Sequence, residues 1–337
     1  MKANLTALAL ACALAGPALA APAYSLVKSV PLGAPDRWDY VVFDAGSHRV
    51  YVAHGDRVSV VDGRDGKMIG EVVGIPGGTH GIGISAETGE GYTDDGKAGS
   101  AIAFDLTSLK VKATIPVLPD ADAIAFDRAS GHIFVVEGDP AKVAVIDPKT
   151  HKVLANVDVG GKAEYAVSDD RGSLYVNGEE KREIVRIDTR TNAVTAHWAI
   201  SDCASPHGLA IDTRTHRLFS SCVNSVLVVV DADTGREVAS APIGRGTDAA
   251  AFDAKRNLIF SSNGVDGTLS VIAEKSAETF APTATVTTAV TGRTMAVDPS
   301  TGRLYIAAAD SDPSPTPGGR PRPRPGSLKL LFFDPKP

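Results

Sequence analysis

The stretch AIAFDRASGHIFVVEGDPAKVAVIDPKTHKVLANVDV, residues 123–159, shows the unit from which the chain is built. It contains four short apolar runs, and the segments between them are rich in Gly, Pro, Asp and Ser. Such runs, separated by turn-forming residues, are typical of antiparallel strands joined by hairpins. We predict strands a, b, c and d over Ala123–Phe126, Ile133–Val136, Val143–Ile146 and Asn156–Val159.

The same unit occurs seven times along the chain. Strand a of each copy ends at a polar marker residue, and successive markers are 41, 42, 41, 44, 41 and 45 residues apart. These first markers are Asp44, Ser85, Asp127, Ser168, Asp212, Asp253 and Asp298. A second marker follows strand c at Asp62, Asp105, Asp147, Asp188, Asp231, Ala273 and Asp334. A period near 40 residues, with four short strands in each copy, predicts an all-β, seven-bladed β-propeller of four-stranded antiparallel blades.

The marker residues have a structural explanation. An aspartate after a strand can accept a hydrogen bond from the backbone N–H two residues on, and so holds the turn. Two residues before each first marker stands a side chain of small or modest size: Val42, Gly83, Ala125, Ala166, Ala210, Ala251 and Ala296. Strand a is the innermost strand of a propeller blade, where bulky side chains would clash around the axis. The size pattern therefore supports the alignment of the repeats.

The two ends of the chain are predicted to complete one blade together. The segment Leu26–Leu32 has the pattern of an outer strand d, whereas the seventh repeat ends at Phe333-Asp334, just after its strand c. We expect the N-terminal strand to supply the missing strand and close the ring. Closure removes the exposed sheet edges that an open array would have.

The seventh repeat carries a Pro/Arg-rich insertion over 311–326, between strands b and c. This composition predicts extended polyproline conformation or disorder. One interpretation is a tolerated loop insertion. The other is a basic arm, with Arg320, Arg322 and Arg324, that touches an anionic partner.

The first 20 residues have the features of a secretory signal peptide. A basic Lys2 precedes the apolar run Leu5–Ala15, and Ala18-Leu19-Ala20 forms a small-residue cleavage site. We expect cleavage after Ala20, which leaves 21–337 as a single propeller in the periplasm or outside the cell. The apolar run is too short to span a bilayer, and no later segment has the length and purity of a membrane span.

Cysteine content and charge narrow the chemistry. Cys12 leaves with the signal peptide, and Cys203 and Cys222 remain in an oxidising compartment, where a disulfide is the favoured interpretation. The alternative is a thiol pair that binds copper or exchanges electrons, although no Cys-x-x-Cys spacing supports it. The formal net charge of −6 argues against general nucleic-acid binding. A closed ring has no need of oligomerisation, so we expect a monomer.

The repeats resemble the YVTN-repeat (YncE-like) β-propeller family. The signature tetrad occurs in degraded form at Tyr51-Val52-Ala53-His54, Tyr92-Thr93-Asp94, Tyr175-Val176-Asn177 and Tyr305-Ile306-Ala307. A companion phrase recurs as Val145-Ile146-Asp147-Pro148-Lys149-Thr150 and Val229-Val230-Asp231-Ala232-Asp233-Thr234. The resemblance covers residues 24–337 and implies a periplasmic or secreted seven-bladed propeller. It carries no catalytic motif, and likeness of fold is weak evidence for function.

Ionisable residues recur where strand a begins, at the mouth of the predicted channel. The positions five residues before the first markers are Asp39, His80, Asp122, Ala163, His207, Asp248 and Arg293, and Glu164 follows the Ala163 exception. This ring could bind a polar ligand, with Arg293 pairing an anionic group. A subset could hold a divalent metal ion, the only cofactor that the sequence suggests: His80, Asp122, His207 and Asp248. Solvation of an open channel mouth explains the same charges without any ligand.

Two further sets of residues are expected near the mouth. Trp38 and Tyr40 could form an aromatic wall. The loops between strands b and c add polar residues farther out: His54, Asp94, Glu137, Asn177, Asn263 and Asp310.

Two hypotheses of different class follow. The first is a non-enzymatic protein of the cell envelope that binds a small polar ligand, a metal ion or a partner protein at this face. The second is a metal-assisted hydrolase or lyase, such as a lactonase-like enzyme, with His80 or His207 as general base. No motif for covalent haem, phosphate binding, a serine nucleophile or a zinc helix occurs in the sequence.

Overall fold

The computed structural model describes residues 24–314 and 321–336. These residues form seven four-stranded antiparallel sheets and one two-stranded ladder. Within the described ranges, no helix is long and apolar enough to cross a membrane. The predicted signal peptide over 1–20, with its cleavage site at Ala20, lies outside the described residues and stays a prediction.

Six blades follow one another along the chain, each in the order a, b, c, d. Blade 1 contains β2 (Val41–Asp44), β3 (Arg49–His54), β4 (Arg57–Asp62) and β5 (Met68–Val73). Blade 2 contains β6 (Ile82–Ser85), β7 (Glu90–Asp95), β8 (Ser100–Asp105) and β9 (Val111–Pro116). Blade 3 contains β10 (Ala121–Asp127), β11 (His132–Glu137), β12 (Lys142–Asp147) and β13 (Lys152–Asp158). Blade 4 contains β14 (Ala163–Ser168), β15 (Ser173–Gly178), β16 (Glu183–Asp188) and β17 (Ala193–Ala199). Blade 5 contains β18 (Pro206–Asp212), β19 (Arg217–Cys222), β20 (Val226–Asp231) and β21 (Glu237–Pro242). Blade 6 contains β22 (Thr247–Asp253), β23 (Leu258–Asn263), β24 (Thr268–Ser276) and β25 (Thr279–Thr287).

The seventh blade joins the two ends of the chain, as predicted. Its strands are β26 (Thr294–Val297), β27 (Leu304–Ala308), β30 (Lys329–Pro335) and the N-terminal β1 (Tyr24–Pro31). β1 lies antiparallel to β30 and takes the place of the outer strand. The predicted all-β, seven-bladed propeller closed by its N-terminal strand is therefore confirmed.

One predicted strand differs in position from the observed one. Strand d of the third repeat was expected over Asn156–Val159, whereas β13 spans Lys152–Asp158. The turn after β12 closes at His151, which has a φ of 55° and donates its N–H to the carbonyl of Asp147. Because the turn ends there, the chain is free to pair with β12 from Lys152 onward.

The apolar core lies between neighbouring blades. One buried cluster combines Tyr92 and Ala103 of blade 2 with Ile133 and Val135 of blade 3. Near the axis the blades approach closely: a Cβ added at Gly83 would lie 2.7 Å from Cγ2 of Ile124 on the next blade. This crowding explains why small residues recur at that register of strand a.

Hydroxyl groups of the tetrad tyrosines link some blades to the next one. The Tyr305 hydroxyl of blade 7 donates to the carbonyl of Gly63 in blade 1, at 2.9 Å. The Tyr175 hydroxyl donates in the same way to Ala232 of blade 5, at 3.1 Å. Both acceptors directly follow a second marker aspartate. The two sequence signals of the repeat therefore meet across the blade interface.

The marker aspartates hold turns, as expected. Asp127 accepts a hydrogen bond from the backbone N–H of Ser130 at 2.8 Å, and Asp147 accepts one from Lys149 at 2.9 Å. Hydrogen bonds of this kind hold the pKa of Asp147 below its usual value.

The described ends of the blade-7 insertion pair with each other. β28 (Ser311–Asp312) and β29 (Arg322–Pro323) form the two-stranded ladder, and Arg324 Nε lies 2.8 Å from a carboxylate oxygen of Asp312. The expectation of polyproline conformation or disorder is therefore wrong for these ends, because backbone and ion-pair contacts join them. Residues 315–320 lie outside the described ranges.

Ring closure can be tested on β1 with a matched pair of substitutions. Val30 is 7 % exposed and belongs to the core of blade 7, whereas Val27 on the same strand is 51 % exposed. We expect Val30→Asp to lower the free energy of unfolding by at least about 2 kcal/mol, since it places a charge in an apolar interface. Val27→Asp should change it by no more than about 0.5 kcal/mol. Equal effects in urea unfolding would contradict the closing role of β1.

Candidate functional site

The ionisable ring of the channel mouth lies where strand a begins in each blade. The second residue of each of the inner strands β10, β14, β18 and β22 is ionisable: Asp122, Glu164, His207 and Asp248, respectively. Asp39, His80 and Arg293 lie in the loops just before β2, β6 and β26. The repeat thus places all seven side chains at one end of the axis.

Five of these residues form a continuous chain of polar contacts. Arg293 Nη2 lies 3.6 Å from Asp39 Oδ2, and Arg293 Nε lies 3.0 Å from Asp248 Oδ2. The other oxygen of Asp248 lies 3.0 Å from His207 Nδ1, which lies 3.4 Å from Glu164 Oε1. The chain runs from blade 1 through blades 7, 6 and 5 to blade 4, across more than half of the ring.

The predicted aromatic wall lies against this chain. The Tyr40 hydroxyl donates to Glu164 Oε1 at 3.5 Å, and the Tyr40 ring packs edge-on against Tyr165 at 4.7 Å between centroids. The Arg293 guanidinium lies over the Trp38 ring, 5.9 Å from its centroid, and donates to the Trp38 carbonyl at 3.0 Å. The aromatic rings thereby fix the position of the charged groups.

Three carboxyl groups of the mouth, those of Asp39, Asp122 and Glu164, hold their protons more tightly than exposed ones do. Burial raises the pKa of Asp39 to about 6, against the opposing charge of Arg293. Burial also raises the pKa of Glu164 to about 7, against the opposing charge of His207. Burial, followed by the negative charges of Glu164 and Asp39, holds the pKa of Asp122 well above its usual value. Asp39 and Glu164 therefore change protonation near neutral pH.

Both histidines of the ring keep a partner acid. Burial lowers the pKa of His207, but its hydrogen bond with Asp248 and the nearby Glu164 outweigh that effect, and the net shift is upward. For His80, burial again lowers the pKa, and the hydrogen bond with Asp94 reverses the direction. The mouth therefore combines acids with raised pKa and imidazoles that favour the charged form.

His80 lies apart from the main chain of contacts. Its Nδ1 lies 2.8 Å from Asp94 Oδ2, and Arg37 Nη2 lies 3.4 Å from its Nε2. Asp94 was expected farther out in a loop, but it lies in β7 and is fully buried. It also accepts hydrogen bonds from the backbone N–H groups of His80 and Gly81. The sequence did not indicate this partner. The register of the repeat gives the position of a residue along its strand, but it does not show which side chains contact each other.

Most of the outer polar set has a structural role. His54 Nε2 lies 2.7 Å from the carbonyl of Pro35, and Glu137 accepts a hydrogen bond from the Leu118 N–H at 2.7 Å. Asn177 donates to the carbonyl of His207 at 2.8 Å. His54 and Glu137 each end a strand b and hold the loop that leads into strand a of their own blade, whereas Asn177 holds strand a of the next blade. Asp310 differs, since it is exposed and pairs with Lys329.

In blade 5 a disulfide bond also holds the loop that leads into strand a. Cys222, the last residue of β19, forms a disulfide with Cys203 in the loop before β18, with the Cα atoms 5.4 Å apart. The bond tethers the loop that leads to His207. The predicted disulfide is present, and the alternative of a free thiol pair is not.

The four residues proposed as a metal set do not form one ligand group. Among residues 24–314 and 321–336, no three or more His, Cys, Asp or Glu side chains are arranged to hold a metal ion. His80 contacts Asp94, whereas His207 contacts Asp248 and Glu164. The set His80, Asp122, His207 and Asp248 is thus divided between separate neighbourhoods.

Comparison with known proteins establishes the fold. The chain is similar to a propeller in a structure of Kuenenia stuttgartiensis hydrazine synthase, with a TM-score of 0.70 and 13% identity over 80% of this chain and 91% of that chain. It is similar to the RRP9 WD40 repeats, with a TM-score of 0.77 and 10% identity over 93% and 99% of the two chains. A chain of the Mitotic Checkpoint Complex gives a TM-score of 0.73 and 15% identity over 98% and 99%.

The chain is a seven-bladed β-propeller. At these identities the likeness shows the fold alone. No protein-family model matches the chain, and no curated protein matches it in sequence. The resemblance of its repeats to the YVTN-repeat family is therefore not confirmed.

The raised pKa of Glu164 predicts a pH dependence of stability. A carboxyl group with a higher pKa in the folded than in the unfolded protein makes the free energy of unfolding fall as pH rises between the two values. For Glu164 this window runs from the usual value of 4.5 to about 7. We expect the free energy of unfolding of Glu164→Gln to fall less steeply with pH in this window, as measured by urea unfolding at several pH values. Glu180→Gln, at an exposed turn of the same blade, is the control, and parallel curves for all three proteins would contradict the assignment.

Removal of the disulfide should destabilise the protein. The bond joins residues 19 positions apart, and closing a loop of that length contributes about 3 kcal/mol on the chain-entropy model. We expect the Cys203→Ser/Cys222→Ser variant to lose about that amount. Reduction of the unsubstituted protein should lower its stability similarly, and an unchanged unfolding midpoint in both cases would disagree with this prediction.

Proposed function

We propose that this protein is an exported cell-envelope β-propeller that binds a small polar ligand, a metal ion or a partner protein at the channel mouth. The observation that carries the proposal is the chain of contacts from Asp39 through Arg293, Asp248 and His207 to Glu164. The side chains of these five residues remain between 12 % and 28 % exposed, so a ligand in the channel could reach them.

The electrostatics of the mouth support a binding role. Partly buried carboxyl groups with raised pKa values lower the stability of the folded protein at neutral pH. Proteins retain such locally unfavourable groups mainly at functional sites. The fold supplies a rigid, closed scaffold to hold them. Export rests on the predicted signal peptide, and membership of the YVTN-repeat family rests on the four degraded tetrads.

Partner binding has only general support from the comparisons. One structure with a similar chain is titled Mitotic Checkpoint Complex, and that name describes that assembly alone. A small ligand has more direct support, since the charged groups converge on the narrow axis of the ring.

The hydrolase or lyase remains a second candidate, favoured by one observation. Glu164, with a pKa of about 7, lies 3.4 Å from His207 Nδ1, and a group that titrates near neutrality can serve as general acid or base. Turnover of a lactone panel that is lost on chelation and in Glu164→Gln would support a metal-assisted enzyme. No turnover with added divalent metals would eliminate it.

The binding proposal can be tested with a pair of matched double variants. His207 and Asp248 form a His–Asp contact of 3.0 Å at the mouth, and His216 and Asp233 form one of the same length at the opposite end of blade 5. A library of small acids, amines, sugars and divalent metal ions would be screened by affinity selection with mass spectrometry. We expect the affinity for ligands that the unsubstituted protein retains to fall about tenfold or more in His207→Gln/Asp248→Asn. His216→Gln/Asp233→Asn should retain them.

Two results would contradict the proposal. One is the absence of any retained compound. The other is equal retention by both double variants, which would place binding away from the mouth. Circular dichroism of both variants would establish that each is folded.

A further inference from the structure

A cavity of about 240 Å³ opens beside the mouth, between blades 6 and 7. Its walls come from five segments: the loop before β2, the start of β22, the turn between β23 and β24, the loop before β26, and residues 321–323 of the blade-7 insertion. It holds roughly eight water molecules at ~30 Å³ each, which is enough room for a small organic ligand.

Most of the cavity wall is apolar. Trp38, Val265, Pro321 and Pro323 line it, and both prolines belong to the C-terminal end of the insertion, where β29 pairs with β28. The C-terminal end of the insertion is therefore held against the cavity. A loop insertion without a role has no need of such a position. Apolar walls with a few polar groups are typical of small-molecule sites.

The glycines of the wall bring the backbone close to these groups. A Cβ at Gly264 would lie 2.9 Å from the Cβ of Arg293, and one at Gly246 would lie 2.5 Å from Val265 Cγ2. Gly246 also has a φ of +76°, which side chains rarely adopt. The cavity is thus bounded by tightly packed segments.

The acidic groups of the wall are already engaged. Asp36 accepts hydrogen bonds from three successive backbone N–H groups, those of Gly326, Ser327 and Leu328. Asp248 contacts Arg293 and His207, as described above. The Thr291 hydroxyl is also satisfied, since it donates to the carbonyl of Ala309 and accepts from its N–H.

The groups of the wall that keep unused hydrogen-bonding capacity are donors. The Trp38 indole N–H is buried and has no partner among the described residues. Arg37 is exposed, and within the same ranges it forms no ion pair; its one side-chain neighbour is His80. Indole and guanidinium groups can only donate, so the complementary ligand must supply acceptors. Because Arg293 already lies over the Trp38 ring, a cationic ligand would meet a second cation there.

We infer that this cavity binds a small monocarboxylate with an aromatic or branched aliphatic body. The carboxylate pairs with Arg37 at the rim, and the apolar body packs against Trp38, Val265 and the two prolines. The inference rests on the proposed function, since it names the class of ligand that the mouth face binds. It also gives the insertion a role as one wall of the site.

The test uses Trp38 as the reporter. The chain has two tryptophans, and Trp198→Phe on the outer strand of blade 4 leaves Trp38 alone. In that background we expect benzoate to change the fluorescence saturably, whereas benzylamine, of similar size and opposite charge, does not. Isothermal titration calorimetry on the protein without the Trp198 change would give the same dissociation constant.

Substitution at Arg37 then decides the binding mode. We expect Arg37→Gln to weaken benzoate binding about tenfold or more, and Arg37→Glu to abolish it. Arg245→Gln is the control, since Arg245 lies on the same face and already pairs with Asp266 at 2.7 Å. Its effect should stay within about twofold.

Several outcomes would overturn the inference: no saturable change with benzoate, equal binding of benzylamine, or equal effects of the Arg37 and Arg245 substitutions. If the library screen nevertheless finds a ligand that depends on His207 and Asp248, only the carboxylate inference fails. If neither experiment finds binding, the proposed function fails as well.

Discussion

The pairing of β1 with β30 is the constraint on which the rest of the structure depends. Each blade buries both faces against its neighbours, so a ring with an incomplete seventh blade would leave two apolar faces and an open edge in water. Closure also assembles the mouth. Arg293 Nη2 and Thr294 Oγ1 donate to the carbonyls of Trp38 and Asp39, at 3.0 Å and 2.7 Å, across a sequence separation of 255 residues. The contact of Arg293 with Asp39 therefore exists only because the two ends of the chain meet.

The mouth shows how a stable fold can carry an unfavourable site. The repeated turns and blade interfaces supply stability away from the mouth, where marker aspartates such as Asp62 are held at a pKa of about 2. At the axis the opposite holds, since burial raises the pKa of Asp39 and Glu164 into the neutral range. Removing one partner from such a group leaves a charge with little solvation, so the contacts of Arg293 and His207 are needed to retain the acids there.

The period of the repeat predicted the strands, the blade count, the closing strand and the ring of ionisable residues, because each depends on position along a regular strand. It did not predict the contacts. Asp94 was expected in a loop farther out from the mouth, yet it is buried beside His80. A side chain at the end of a strand can turn inward and hold the neighbouring loop. The start of β13 was also missed, because it depends on the turn geometry at His151. The cavity was not predicted either, since its walls come from five separate segments.

By itself, the sequence determined the architecture: a repeat of fixed period, with small residues at the axis and aspartates at the turns, can bury its apolar faces only by closing into a ring. The tertiary structure decided which charged residues become partners. It divided the expected ring into a continuous chain from Asp39 to Glu164 and a separate His80–Asp94 pair. It also placed the C-terminal end of the insertion over a cavity beside Trp38. The physical reason is that strand periodicity fixes a residue's blade, face and depth, whereas contacts across blades depend on packing between distant segments.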